Sequence, residues 1–311
     1  MADLHPMRAM TGLQAAFAGM SPNLAASWLM ILAFLTFSAM AVMVRQIGGN
    51  IPVVEMILVR QSMAMVFMLP VFWRCWSEVR RPKRVMLHAM RGATAVGAMT
   101  CGLSAIMLIP LADATAIQMA EVLFATGLAA VLLGERVGWR RWLATAIGFV
   151  GVAVMVRPFG AGVDPHAWVA LLGAVFGAGN MVILRVGAAH DRIETVLFWQ
   201  GLVVLALILP FALWVWVTPS FREAVILLGM SLIFTIGMWL ITSALRMGET
   251  SALAPLHYLR LIMMGVIGWL VYSETPSVTT VIGATLVLGA ATYTLQRNAR
   301  AGRTVIVQDQ S

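Results

Sequence analysis

Apolar residues in this chain run in blocks separated by short polar segments. Windows near the ~20 residues that a membrane-spanning helix needs fall at Leu24–Val44, Pro52–Phe72, Met90–Ile109, Ala112–Leu133, Trp142–Val156, Trp168–Leu184, Thr195–Val217, Ala224–Leu245, Ala252–Tyr272 and Val278–Leu295. The predicted fold class is therefore an all-α integral membrane protein with ten transmembrane helices. The fifth window is short, and an internal repeat argues that it spans.

The repeat is carried by residues that rarely coincide by chance. In one register Trp28 falls on Trp168, Arg45 on Arg185, Arg60 on Gln200 and Pro70 on Pro210; after one residue of slippage Ser104 falls on Ser243, Ala112 on Ser251 and Glu135 on Glu274. Each unit holds five windows, an odd number, so the second unit enters the membrane upside down relative to the first. Two inverted five-helix repeats are a transporter signature, with substrate held near the midplane at the repeat interface. The expected boundaries are a cytoplasmic leader over 1–23, a first repeat over 24–158, a second over 159–297 and a cytoplasmic tail over 298–311. The two repeats form one domain.

Composition excludes a soluble protein. Apolar residues make up 61% of the chain and charged ones 11%, more hydrocarbon than a compact soluble fold hides from water. The net charge of +8 sits in the short segments between blocks rather than in a stripe, so a nucleic-acid groove is not indicated. On the face that carries the termini lie Arg74, Arg80, Arg81, Lys83, Arg84 and Arg91, then Arg136, Arg140, Arg141, Arg185, Arg192 and Arg246; the other face holds Arg45, Arg157 and Arg222. By the positive-inside rule both termini are cytoplasmic. Cys75 and Cys101 are the two cysteines, and nothing in their positions indicates a disulfide framework or redox chemistry. The histidines show no metal-ligand spacing and there is no Walker lysine motif, so no metal, cofactor, enzymatic activity or primary pump is expected.

The chemistry lies in polar residues deep in the blocks. A carboxylate at mid-membrane costs roughly 2.5–3.5 kcal/mol on insertion scales and is functional by default; Glu121, three residues after Gln118, is such a group. The repeat register sets Gln118 opposite His257 and Glu121 opposite Arg260, so the fourth and ninth helices present matching polar faces at i, i+3 spacing. Glu121 and Arg260 either pair as a lock between repeats or hold the two ends of a zwitterionic solute. Arg60 stands roughly nine residues into its span, about 13 Å deep, where it either holds an anion or bonds to helix carbonyls. Tyr258 and Trp239 are the aromatic residues at central depth. Glu55 and Arg91 are expected near the interfaces, Asn180 as a bond between helices, Gly173 and Gly177 as a close helix contact, and His190-Asp191-Arg192 as a solvated turn.

The stretch PLADATAIQMAEVLFATGLAAVLLGERVGWRR, Pro110 to Arg141, resembles the EamA-type branch of the drug/metabolite transporter superfamily. Gly134-Glu135 followed by Gly148 and Gly151, the later Ser273-Glu274 with Gly283 and Gly289, and Pro52 with Arg60 carry the resemblance through about Leu24 to Leu295. It implies two inverted five-helix repeats around a central cavity formed largely by the first, third, fourth, sixth, eighth and ninth spans. The PLADAT run resembles members associated with S-adenosylmethionine or other charged metabolites.

The function expected is secondary transport, by alternating access in a bacterial-type inner membrane, of small polar or zwitterionic metabolites such as amino acids or related compounds. Glu121, Arg260, Gln118, His257, Arg60, Tyr258 and Trp239 are the candidate substrate-binding residues, with Glu121 also the coupling group. Expected partners are a small-molecule substrate and membrane lipid; protons and a second copy of the chain stay open, as do a passive channel and a non-transporting membrane subunit.

Overall fold

The computed structural model describes residues 20–132, 139–156, 165–188, 191–247, 253, 256–290 and 293. The expected tail and most of the expected leader, together with the Gly134-Glu135 turn, lie outside the described residues. Helix occupies every apolar window: α1 (Pro22–Ile47), α2 (Val53–Arg74), α3 (Val85–Leu108), α4 (Leu111–Leu132), α5 (Trp139–Val156), α6 (Pro165–Ala188), α7 (Ile193–Trp214), α8 (Phe221–Met247), α9 (His257–Tyr272) and α10 (Val278–Ala290). A single helical turn, Trp76–Val79, follows α2. No strand occurs among the described residues. By length and composition α1, α2, α3, α4, α6, α7 and α8 suffice to cross a membrane, while α5, α9 and α10 are shorter apolar helices. Only helices satisfy their own backbone groups in hydrocarbon, which accounts for this uniformity.

Local signals start and stop the helices. Pro22 opens α1 behind Ser21, whose hydroxyl accepts from the Leu24 amide, and proline is tolerated there because that N–H has no intrahelical partner. α9 ends at Ser273, whose left-handed backbone (φ 56°) turns the chain so that the Glu274 amide reaches back to the Gly268 carbonyl. Outside, the bundle is coated with apolar side chains. Trp73, Trp139, Trp214 and Phe221 stand exposed at helix ends, where interfacial aromatic belts form.

The helices pair across the two halves of the chain. α1 lies along α8 and α3 along α6; α7 packs on α2 and α3, α2 on α8, and α9 on α1 and on the first part of α4. Small residues permit the closest approaches: Gly237 of α8 faces Thr36 and Phe37 of α1, and Gly173 of α6 faces Cys101 and Gly102 of α3. α5 and α10 touch through Gly151 and Gly283. A Cβ on Gly151 would stand 2.6 Å from the Gly283 carbonyl oxygen and 2.8 Å from Leu286 Cβ.

Gly283→Ala is therefore expected to force α5 and α10 apart and lower the thermal midpoint in detergent, by about 1–3 kcal/mol of overpacking strain. Gly289, which has nothing within 4 Å of an added Cβ, should accept alanine with a gain of up to ~1 kcal/mol from helix propensity. Equal midpoints for the two variants would contradict the glycine contact.

Candidate functional site

The fourth apolar window was expected to form one helix carrying Gln118 and Glu121 on a single face. Instead α4 is broken. Its first piece, α4a, runs Leu111–Gln118 and its second, α4b, Glu121–Leu132. At the break the Ala120 amide bonds to the Ile117 carbonyl and the Val122 amide to Met119, three residues back rather than four. Neither glycine nor proline causes this. One turn earlier the Thr115 hydroxyl donates to the Leu111 carbonyl at 2.8 Å, a back-bond that bends helices. Gln118 thus closes one piece and Glu121 opens the next, so they do not share a continuous face.

Each side chain at the break meets a different neighbour. Gln118 Nε2 donates to the Gly102 carbonyl of α3 at 3.4 Å. The Glu121 carboxylate lies against Gly177 of α6, and a Cβ on that glycine would stand 2.7 Å from its Cδ and Oε2. Gly177 is therefore a notch for a carboxylate, whereas its partner in the GxxxG spacing, Gly173, makes the expected helix contact.

Arg260, from α9, faces Glu121 from the other half of the chain. The two are close enough for each charge to act on the other, but among the described residues no ion pair within 4.0 Å and no hydrogen bond joins them. Arg260 Nε is buried without a partner. Opposite charges are thus held apart, Glu121 at the start of α4b and Arg260 on α9. His257 opens α9 and Tyr258 follows it; their side chains lie outside the described residues.

Arg60 is 5% exposed, and its guanidinium carbon lies 4.4 Å from the Phe234 ring centre. Trp239 is not brought to this group. It belongs to an exposed stripe of α8 with Val225, Leu228, Leu232 and Ile236, the face such a helix turns to lipid.

A second polar centre gathers at the end of the bundle where α1 and α9 finish. Arg45 forms an ion pair with Glu274, donates from Nε to the Ile106 carbonyl at 2.6 Å and from Nη2 to the Ile109 carbonyl, and lies over the Tyr272 ring. Glu274 in turn accepts from the Leu111 amide at 2.9 Å. One arginine and one glutamate thereby tie together the ends of α1, α3 and α9 and the start of α4a.

Three other residues differ from expectation. Glu55 is fully enclosed, accepting from the Val217 amide at 3.2 Å. Arg91 turns into the bundle, 5% exposed and donating to the Val196 carbonyl at 3.3 Å, because α7 covers it. Asp191 is no solvated turn residue: its carboxylate meets His88 Nε2 at 3.1 Å and accepts from the Lys83 amide at 3.2 Å. Asn180 bonds between helices as expected, donating to the Arg91 carbonyl at 2.9 Å.

Comparison with known proteins places this geometry. The model of the EamA-like transporter family matches the chain twice, over residues 24–157 and 165–296. The chain is 26% identical over 263 residues to the S-adenosylmethionine uptake transporter of Rickettsia prowazekii, covering 85% of this chain and 90% of that one. It is similar also to the pseudopaline exporter CntI of Pseudomonas aeruginosa, 28% identical with 84% and 93% covered. The riboflavin transporter of Rhizobium johnstonii is 26% identical, with 88% and 92% covered. A solved crystal structure shares the fold with a TM-score of 0.58 at 21% identity, over 87% of this chain and 97% of that chain.

The notch at Gly177 makes a quantitative expectation. Gly177→Ala should destabilise the purified protein by about 1–3 kcal/mol, and most of that loss should vanish in the Gly177→Ala/Glu121→Ala double variant, where the displaced carboxylate is gone. Thermal unfolding of the four proteins checks this; additive losses would mean that the carboxylate does not occupy the notch.

Proposed function

The chain belongs to the EamA-like transporter family, in the drug/metabolite transporter superfamily, and from that premise we propose that it is a secondary carrier of small polar or zwitterionic metabolites related to amino acids. It works by alternating access across a bacterial inner membrane, with both termini cytoplasmic. The observation that carries this reading is the opposition of Glu121 and Arg260 at the break in α4, unpaired in the described structure. A structural lock gains its energy from direct contact, and a buried ion pair barely recovers its desolvation cost even then. Charges held apart are suited instead to the ammonium and carboxylate ends of a solute. Discontinuous helices at mid-membrane commonly form such sites in transporters.

The proposed architecture is two inverted five-helix repeats, 24–158 and 159–297, forming one domain. Its support is twofold: one family model matches each half in turn, and exchanging each helix with its counterpart five places on turns the α1–α8 pairing into α6–α3 and the α2–α8 contact into α7–α3, both of which occur. The relatives' names, spanning S-adenosylmethionine, pseudopaline and riboflavin, support metabolites rather than inorganic ions as the cargo. In this scheme Glu121 takes the ammonium group or a coupling proton and Arg260 the carboxylate. Gln118, His257 and Tyr258 are the further candidate binding residues of this scheme, and Arg60 contributes a further positive charge. Trp239, on the outer stripe of α8, has no part in it.

In proteoliposomes the wild type is expected to show counterflow, which a channel lacks, and a rate that depends on pH. Glu121→Gln should flatten that pH dependence; an unchanged rate and pH profile would remove Glu121 from coupling. Arg260→Ala should lose affinity for carboxylate-bearing solutes by about tenfold or more, the value of a charge-assisted hydrogen bond. Retained affinity would leave Arg260 a structural residue.

A further inference from the structure

Among the arginines inside the bundle, Arg60 is the one that no acid or carbonyl answers in the described structure. Arg45 is engaged by Glu274 and two carbonyls, Arg91 by the Val196 carbonyl, and Arg260 is faced by Glu121. Arg60 has only the Phe234 ring beneath it. No charged group among the described residues lies close enough to act on its guanidinium. Glu55, the acid on the same helix, gives one oxygen to the Val217 amide. An aromatic face offsets only part of the cost of burying a cation.

The unpartnered atoms have a definite geometry. Nε and Nη2 are buried without acceptors, and these two nitrogens share one edge of the guanidinium plane. That edge is the fork that receives the two oxygens of a carboxylate in parallel, while the ring holds the plane from below. Phe234 also shares packing with the helix that carries Arg260: its ring meets Phe37 of α1 at 5.9 Å, and both it and Met263, one turn beyond Arg260, pack against the apolar cluster built by α1, α8 and Leu253.

Glu121 is the one acid that acts on Arg260, so a zwitterion held by Glu121 and Arg260 leaves the Arg60 edge still without an anion. We propose that the Arg60 edge over Phe234 is an anion subsite, and that the carried metabolite is an aminocarboxylate with a second carboxylate in addition to its zwitterionic centre. The inference rests on the carrier reading above and specifies its substrate class as net-anionic. A cationic or neutral solute would leave Arg60 unanswered in the occupied state.

The test is thermal unfolding of the purified full-length chain against L-alanine, L-glutamate and nitrilotriacetate at equal ionic strength, with sodium sulfate as the inorganic anion. For the wild type, stabilisation is expected to rise with each added carboxylate, with glutamate binding roughly tenfold more tightly than alanine and sulfate failing to reproduce the increment. Arg60→Gln should lose the increment of glutamate over alanine. Arg60→Lys, a point charge without the fork, should also lose most of it. Without ligand, Arg60→Gln should unfold at or above the wild-type midpoint, because it removes an uncompensated charge; a fall of about 2–4 °C would make Arg60 a structural bond and overturn the proposal. Phe234→Leu, which keeps the charge and removes the platform, should weaken the increment several-fold, and an unchanged increment in either Arg60→Gln or Phe234→Leu overturns the subsite. Equal stabilisation of the wild type by alanine and glutamate removes the Arg60 subsite alone. If no aminocarboxylate stabilises the wild type, the zwitterion reading falls with it.

Discussion

A charge enclosed by apolar helices has to be answered within the bundle or by what enters it, since hydrocarbon offers no partner. Its polar residues fall into order by how that demand is met. Arg45 is answered completely, by a carboxylate, two carbonyls and an aromatic face, and it sits where helix ends must be held together. Arg91 and Glu55 are answered by single backbone groups. Glu121 and Arg260 are answered only at a distance, and Arg60 only by a ring. The answer is most complete at Arg45 and least complete at Glu121, Arg260 and Arg60, where under the proposed carrier reading a solute gains most by supplying the missing partner.

The backbone links these two extremes. α4a is only eight residues long. Its first amide, that of Leu111, is held by Glu274 in the Arg45 knot, and its last residue, Gln118, stands at the break before Glu121. A short stiff rod thus connects the knot at one end of the bundle to the deep charges. The Glu274 turn and the Gln118–Glu121 break are joined through it, and α9, which carries both Arg260 and the turn bearing Glu274, packs alongside. Under the proposed alternating access, this is the element through which closing one end of the bundle would be felt at the centre.

The helix windows were legible because a spanning helix is a matter of length and hydrophobicity, properties read residue by residue. Glu121 and Arg260 were legible as a pair because the repeat register set them opposite each other before any fold was known. The break in α4 was not, since it has no glycine or proline and arises from Thr115 back-bonding and tertiary contacts. Depth along a helix did not disclose facing, so Trp239, central in depth, lies on the outer stripe. The same limit applied to Gly177, whose GxxxG spacing announced a close approach but not that a carboxylate fills it. Asp191 sat in a segment polar enough to be solvated, and only the approach of α3 encloses it with His88.

The separation of Glu121 from Arg260 bears on how a carrier avoids trapping itself. Charges in contact within a medium of low polarity are strongly attracted, and a solute would have to break that contact before gaining anything from either partner. The two stand on α4b and α9, and the Glu121 carboxylate rests against Gly177 of α6. Under the proposed carrier reading, the empty site remains at a higher free energy than the filled one, and the difference favours whichever conformation encloses the solute. A lock would be better served by direct contact between the two charges; the glycine instead leaves room for the carboxylate on α6.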